Sequence, residues 1–213
     1  MMVRAPVAAG ARPHGLLLCL TAALLGGCQS VPQPVAPTAA PEQVAAGWPT
    51  RRAVLQARTR YTVQGRIGVV AGAEGFNGRL RWIQDGARST VSLDGPLGVG
   101  GVRIINNAGV LTLTTPSGEA LDSQAAHDEL TRRMGFEPPL DSLRFWIQGV
   151  PDPVSAATEI PGAQGYLGAL AQAGWTVTFT AYMQTPEGAL PQKLTLERGS
   201  VRVRLVVDTW HSP

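Results

Sequence analysis

The residue of this chain best suited to chemistry is Cys28, which ends the short motif L-G-G-C at 25–28. A basic stretch and an apolar run of eleven residues, 15–25, precede the motif. That run is shorter than the roughly 20 residues a transmembrane helix needs, and the arrangement is typical of a secretory signal. The small residues before the cysteine predict a lipobox. We therefore expect Cys28 to carry lipid and to begin the mature chain, with an ordinary signal peptide and a chance cysteine as the alternative.

The remaining reactive side chains do not form a catalytic or metal-binding pattern. Cys19 leaves with the signal, so the mature chain would have no free thiol, disulfide or thiolate metal site. His127 and His211 have no carboxylate at a metal-ligand spacing, and the G-x-S-x-G and S-x-x-K motifs are absent. Lys193 is the only lysine and lies in a predicted strand, which excludes a P-loop. We expect no enzyme activity, no metal and no cofactor.

The net charge argues against a nucleic-acid partner. The full chain carries 18 basic and 15 acidic residues. Cleavage before Cys28 removes Arg4 and Arg12 and no acid, which leaves 16 basic against 15 acidic residues, a net charge of +1. Such a chain offers no basic field to a polyanion.

The composition divides the chain into three parts. Residues 1–27 are the predicted lipoprotein signal peptide. Residues 28–47 hold the lipidated cysteine and a segment rich in Pro and Ala, predicted to be a semi-extended tether. Residues 48–213 are the predicted folded domain. Gln29 follows the cysteine, where Asp would mark retention in the inner membrane of enteric bacteria, so an outer-membrane location is expected.

The folded part is predicted to be mainly β, with an α+β character. Apolar and polar residues alternate with a period of two over most of it, and turn dipeptides such as Asp85-Gly86 separate the runs. We count about ten or eleven strands in a curved antiparallel meander. Three short helices are predicted, the first after Trp48-Pro49, the second from Asp122 or Ser123 to Gly135, and the third over 141–148. Residues 150–165, rich in Pro and Gly, are predicted to be irregular.

Several large apolar side chains are predicted to point into one interior. They lie on the inner phase of strands or of the third helix: Trp82, Leu93, Leu143, Trp146 and Trp175. Core packing is the default for such residues. The wall of an apolar cavity is the other interpretation, and periodicity does not separate the two.

The turn D-G-P-L-G at 94–98 carries an apolar residue between two strands. Pro96 fixes the turn while Gly95 and Gly98 bend it, so Leu97 is predicted at the tip. The alternative, a leucine folded back onto the sheet, is equally compatible with the composition.

These motifs together resemble the LolB family of outer-membrane receptors for lipoproteins. The resemblance runs from about Trp48 to Trp210. The segments that carry it are R-W-I-Q (81–84), L-D-G-P-L-G (93–98), P-P-L-D-S-L-R-F-W-I-Q-G-V-P (138–151), Q-A-G-W-T-V-T-F (172–179) and L-P-Q-K-L-T-L (190–196). Gly95 stands where the family commonly has Asn.

The resemblance implies an incomplete antiparallel barrel, closed by helices over an apolar cavity. It implies a receptor that takes acylated lipoproteins from a LolA-like periplasmic carrier and inserts them into outer-membrane lipid. It gives the turn Gly95, Pro96, Leu97 and Gly98 a role in engaging the membrane, and we expect a monomer. A periplasmic lipid-active hydrolase and a lipoprotein scaffold with a filled core are the alternatives.

Overall fold

The computed structural model describes residues 41–95 and 101–212. The helices in these residues are α1 (Pro41–Ala57), α2 (Ser123–Met134) and α3 (Leu140–Trp146). The strands are β1 (Arg60–Ala71), β2 (Glu74–Asp85), β3 (Arg88–Asp94), β4 (Val102–Asn107), β5 (Val110–Thr114), β6 (Ala120–Asp122), β7 (Ala157–Pro161), β8 (Leu167–Gln172), β9 (Trp175–Thr185), β10 (Gly188–Arg198) and β11 (Val201–His211).

All eleven strands form one antiparallel sheet in the order β6-β5-β4-β3-β2-β1-β11-β10-β9-β8-β7. Strands adjacent in sequence pair within two meanders, β1 to β6 and β7 to β11. The first and last strands join the meanders, with Val63 opposite Trp210 and Val69 opposite Val203. Among the described residues, the edge strands β6 and β7 do not pair with each other. The predicted antiparallel sheet of about eleven strands, short of a closed barrel, is confirmed.

The inner face of the sheet is apolar and the outer face is rich in arginine. In β2, Leu80 and Trp82 are buried while Arg79 and Arg81, which alternate with them, are exposed. Successive side chains of a strand point to opposite faces, so this alternation marks one covered side. The inner face needs a covering layer, because apolar surface left in water is unfavourable.

The helices supply that layer. The chain between the edge strands β6 and β7 carries α2 and α3. α2 packs against β5 and β6, while α3 buries Leu140, Phe145 and Trp146. α1 lies against the far edge, where the indole N–H of Trp48 donates to Glu159 of β7 at 2.6 Å.

A β-bulge bends the sheet where the two meanders meet. The register between β1 and β11 shifts between Gln64 and Gly65. A side chain on Gly65 would overlap the backbone carbonyl oxygen of Val206, so this close approach of the strands requires glycine. Bulges kink a strand and increase its twist, which curls the sheet around the helices.

Residues 41–47 differ from the sequence prediction. They were expected to be tether, yet α1 begins at Pro41 and runs through Trp48 and Pro49. Proline suits the first turn of a helix because its missing N–H is not needed there, and the Glu and Ala residues that follow favour helix. Residues 41–47 are therefore helical and do not belong to the predicted tether.

The segment 150–165, predicted to be irregular, contains the edge strand β7 (Ala157–Pro161). Pro161 made it look like a loop. An edge strand tolerates proline because one side of its backbone has no pairing partner. The third helix is also shorter than predicted, at Leu140–Trp146. The predicted end of α2 at Gly135 is confirmed by its left-handed φ of 75°.

Candidate acyl-chain site

A small apolar cavity lies between the inner face of the sheet and the helices. Its volume is about 40 Å³. Strands β1 to β4, β10 and β11 form one wall, and α3, the end of α2 and the segment joining them form the other. Every lining residue is apolar: Ile67, Leu80, Trp82, Val91, Leu93, Ile104, Met134, Pro138, Leu140, Leu143, Ile147, Leu196, Val203 and Leu205.

The volume shows that the surrounding side chains nearly fill this site. An engineered apolar cavity of about 150 Å³ binds a single benzene ring. At about 40 Å³, the present cavity is too small for an acyl chain. A chain could enter only after part of the wall moves, so the mobility of the two covering helices decides what the site can do.

Three of the five predicted interior residues line the cavity. Trp82 of β2, Leu93 of β3 and Leu143 of α3 all contribute to its wall. The indole N–H of Trp82 donates to Oε1 of Gln84 at 3.0 Å, which satisfies the one polar atom of this buried ring. The sheet thus presents the apolar faces of these side chains towards α3.

Trp146 and Trp175 are buried but are not among the residues that line this cavity. The indole N–H of Trp146 donates to Gln172 of β8 at 2.7 Å. Trp175 packs at 5.6 Å from the ring of Phe136, and the guanidinium of Arg198 lies 4.5 Å from its ring centre. Core packing is what the structure shows for these two tryptophans.

Hydrogen bonds hold α3 to three strands. The hydroxyl of Tyr61 in β1 donates to the backbone oxygen of Arg144 at 2.6 Å. The amide of Asn106 in β4 donates to Asp141 at 2.8 Å. Burial raises the pKa of Tyr61, so its hydroxyl stays protonated and remains a donor. Together with the bond from Trp146, these contacts fix α3 against the sheet.

Gln172 is the centre of a buried polar cluster at the end of α3. Its Oε1 accepts from the indole of Trp146 and from the backbone N–H of Asp152 at 2.9 Å. Its Nε2 donates to the backbone oxygens of Asp152 at 2.8 Å and Ser155 at 2.7 Å. All the polar atoms of this side chain are satisfied, as burial requires.

α2 is held differently. In the described part of the chain, its side chains form no hydrogen bond to a strand. Only Ala126, Leu130 and Met134 of the helix are buried. Its Asp, Glu and Arg side chains bond within the helix, where hydrogen bonds from Arg132 and Arg133 lower the pKa of Glu129 to about 2. His127 contacts Glu137, just beyond the helix, at 2.8 Å.

An open groove of about 250 Å³ lies at the C-terminal end of α2, against β2, β3 and β4. Its apolar lining residues are Phe76, Leu93, Val102, Leu130 and Met134. Asn77, Asp94, Gly95 and Arg133 also border it. Leu93 and Met134 line both this groove and the small apolar cavity.

Sequence reasoning missed Met134 and Leu140 as residues of the site. The signal was present in α2, where Ala126, Leu130 and Met134 recur every four residues and so share one helix face.

The predicted membrane turn is described only at Gly95, which is half-buried. Cys28, Pro96, Leu97 and Gly98 lie outside the described residues.

The described residues contain no group of His, Cys, Asp and Glu suited to a metal ion. Within them, no helix is both long enough and apolar enough to cross a membrane.

The buried hydroxyl of Ser142 donates to Asp152 at 2.8 Å, and this contact links α3 to the segment that follows it.

The family of the chain is decided by its sequence match. The profile of the family described as "Outer membrane lipoprotein LolB" matches residues 59–210. The chain belongs to the LolB family. The resemblance seen in the motifs is confirmed, and with it the outer-membrane location. The LolB family serves lipoprotein localisation and is not a family of enzymes, so a hydrolase is not favoured.

Similar proteins agree with the LolB assignment. The chain is 33% identical over 195 residues to the outer-membrane lipoprotein LolB of Nitrosococcus oceani, which covers 91% of this chain and 95% of that one. It is 36% identical over 190 residues to that of Thiobacillus denitrificans, covering 88% and 92%.

Solved structures show the same fold at low sequence identity. A LolA-superfamily protein from Nitrosomonas europaea is 9% identical with a TM-score of 0.50, covering 81% of this chain and 93% of that one. A DUF1329-family protein from Desulfovibrio piger is 8% identical with a TM-score of 0.52, covering 79% and 92%. At such identities the likeness concerns the fold alone.

Proposed function

We propose that this chain is an outer-membrane receptor that accepts acylated lipoproteins from a LolA-like periplasmic carrier and inserts them into the outer membrane. The observation that carries the proposal is the wholly apolar cavity between the sheet and the helices. One of those helices, α2, has no side-chain hydrogen bond to a strand in the described residues. The receptor opens by moving part of its wall and works as a monomer.

The energetics of this task need no nucleotide. Each methylene of an acyl chain taken out of water is worth about 0.8 kcal/mol, so the chains cannot cross the periplasm unshielded. When the acyl chains pass from one apolar cavity to another, their surroundings stay apolar, so the net change in free energy is small. A difference in affinity between carrier, receptor and membrane is then enough to set the direction.

Cys28 provides the membrane anchor in this proposal. Its lipid holds the protein at the outer membrane, and residues 29–40 form the tether. At ~3.1 Å per residue, an extended proline-rich segment of that length reaches about 40 Å. Cys28 therefore sets location and not cargo binding, so a soluble form that starts after Cys28 is expected to fold and to accept cargo. A folded soluble form that binds no lipoprotein would contradict this role.

Leu97 is proposed as the residue that engages the membrane, together with Gly95, Pro96 and Gly98. An exposed leucine that leaves water contributes about 1.5–3 kcal/mol. That is too little to anchor a protein but enough to orient the receptor against the bilayer. Leu97 therefore acts in delivery and not in acceptance.

A two-step transfer assay tests the proposal. A labelled lipoprotein passes first from its carrier to this protein, and then from this protein to liposomes. The Leu97→Glu variant should accept cargo and fail to deliver it. Val110→Glu is the matched control, because Val110 is 61% exposed at the start of β5. Normal delivery by Leu97→Glu would contradict the role of the turn, and no transfer to the unaltered protein would contradict the receptor function.

The small cavity volume favours one other candidate, a lipoprotein with a filled core and no ligand. The two candidates differ in the response of Trp82, which lines the cavity, and of Trp175, which does not. A variant retaining only Trp82 should change its emission when an acylated probe is added, while one retaining only Trp175 should not. A silent Trp82 and no probe uptake would favour the filled core.

A further inference from the structure

The groove and the small cavity meet at two side chains. Leu93 and Met134 are the residues that belong to the walls of both. Each is buried, with exposed fractions of 9% and 8%. The groove and the cavity therefore adjoin at these two side chains, and a shift of either would change the space that connects them.

Met134 is the one of the two that can move. Leu93 lies in β3, which pairs with β2 on one side and β4 on the other. Met134 is the last residue of α2, just before Gly135 in a left-handed conformation. Its unbranched side chain has three rotatable bonds. A new rotamer or a small displacement of the helix end therefore moves Met134 without breaking a strand pair.

The apolar and charged residues that line the groove fit an amphiphilic ligand. Its apolar residues come from β2, β3, β4 and α2, while Asn77, Asp94 and Arg133 are polar or charged. An apolar chain placed on those residues would leave polar groups at its end beside the charged ones. The groove volume of about 250 Å³ exceeds that of the small cavity by about 210 Å³, so it accommodates a length of chain that the cavity does not.

We propose that this groove is a second binding site for a cargo acyl chain, and that Met134 controls passage between the groove and the cavity. The inference rests on the proposed receptor function and adds a route to it. An acyl chain occupies the groove while it enters or leaves the cavity. Arg133 stays at the border, where the polar end of the amphiphile lies.

Photo-crosslinking tests the occupant of the groove. The full lipidated chain is placed in liposomes, with benzoylphenylalanine substituted for Arg133. A carrier then presents a lipoprotein whose acyl chains bear an alkyne tag. Arg132 provides the matched control, because it directly precedes Arg133, also bonds Glu129, and does not line the groove. We expect tagged lipid, linked near its polar end, on the Arg133 position and not on the Arg132 position.

A kinetic measurement tests Met134. Met134→Trp should slow delivery from the receptor to liposomes about tenfold or more, because a bulkier side chain raises the barrier to passage. Met134→Leu keeps the volume and should deliver at nearly the normal rate. Circular dichroism checks that both variants fold. If Met134→Trp does not fold, the crosslinking experiment still tests the groove.

The outcomes distinguish the groove proposal from the receptor function on which it rests. If the unaltered protein accepts and delivers cargo but crosslinks equally at positions 132 and 133, the groove is not a binding site, while the proposed receptor function is retained. Crosslinking at position 133 with normal delivery by folded Met134→Trp would overturn the role of Met134. A protein that accepts no cargo at all would overturn both.

Discussion

The two helices that cover the apolar face are held in opposite ways. α3 is bonded to β1, β4 and β8 through Tyr61, Asn106 and Trp146. α2 relies on a stripe of three buried residues, and in the described part of the chain no side chain bonds it to a strand. Local stability follows such contacts, and elements that open are drawn from the weakly held end. One helix is therefore a fixed wall, and the other is the part of the wall that can move.

The strongest test removes the polar cluster that fixes α3. Gln172→Ala leaves the indole N–H of Trp146 and the backbone N–H of Asp152 without their acceptor. Each buried group left unpaired costs about 1–3 kcal/mol, so the free energy of unfolding should fall by about 3 kcal/mol or more. Urea unfolding measures it. Gln124→Ala is the control, since Gln124 is exposed and bonds only Asp128.

Equal unfolding free energies for Gln172→Ala and Gln124→Ala would show that the cluster does not fix α3. The comparison between the helices would then lose its main support.

Native-state hydrogen exchange should separate the two helices directly. We expect amides of α2 to exchange through an opening that costs about 2 kcal/mol less than the opening that exposes α3, because three of the twelve residues of α2 are buried, against four of the seven of α3. Amides of the central strand β1 give the global value as a reference. Matching exchange free energies in α2 and α3 would mean that they open together and that α2 is no separate moving part.

The smallest effect is expected at the start of α2. Ser123 has a positive φ of 48°, which an L-residue adopts only with strain, and Asp122 makes no side-chain capping bond. Ser123→Gly should relieve the strain and raise the unfolding free energy by about 0.5–1 kcal/mol. Thermal unfolding measures the change. Ser200→Gly, in the turn before β11, serves as the control, because Ser200 is exposed and does not have a positive φ. A loss of stability in Ser123→Gly would contradict the strain.

The sequence predicted the sheet well because strand signals are local. Alternation in β2 and the turn at Gly86 follow from side-chain direction and backbone freedom, so the neighbours of each strand could be inferred. Pro41 and Pro161 misled the prediction, since proline is both a helix starter and an edge-strand residue. Which meaning applies depends on tertiary context, which one sequence does not display.

The site was predicted less completely than the sheet. Trp82, Trp146 and Trp175 are all buried as expected, yet only Trp82 lines the cavity. Burial follows from periodicity, whereas the position of a void depends on how α3 sits on the sheet. That position is set by the bonds from Tyr61, Asn106 and Gln172, between residues 26 to 83 positions apart in the chain.

The pairing of β1 with β11 has a consequence for how the protein is made. Each meander grows by hairpins between neighbouring segments, but this one pairing joins residues about 140 positions apart, at the middle of the sheet. Closing so large a loop is slow compared with forming hairpins. The sheet cannot be completed until the last strand has been synthesised, so a chain cut short before Val201 leaves β1 with an unpaired side. Such a product has an exposed strand edge that is prone to aggregation.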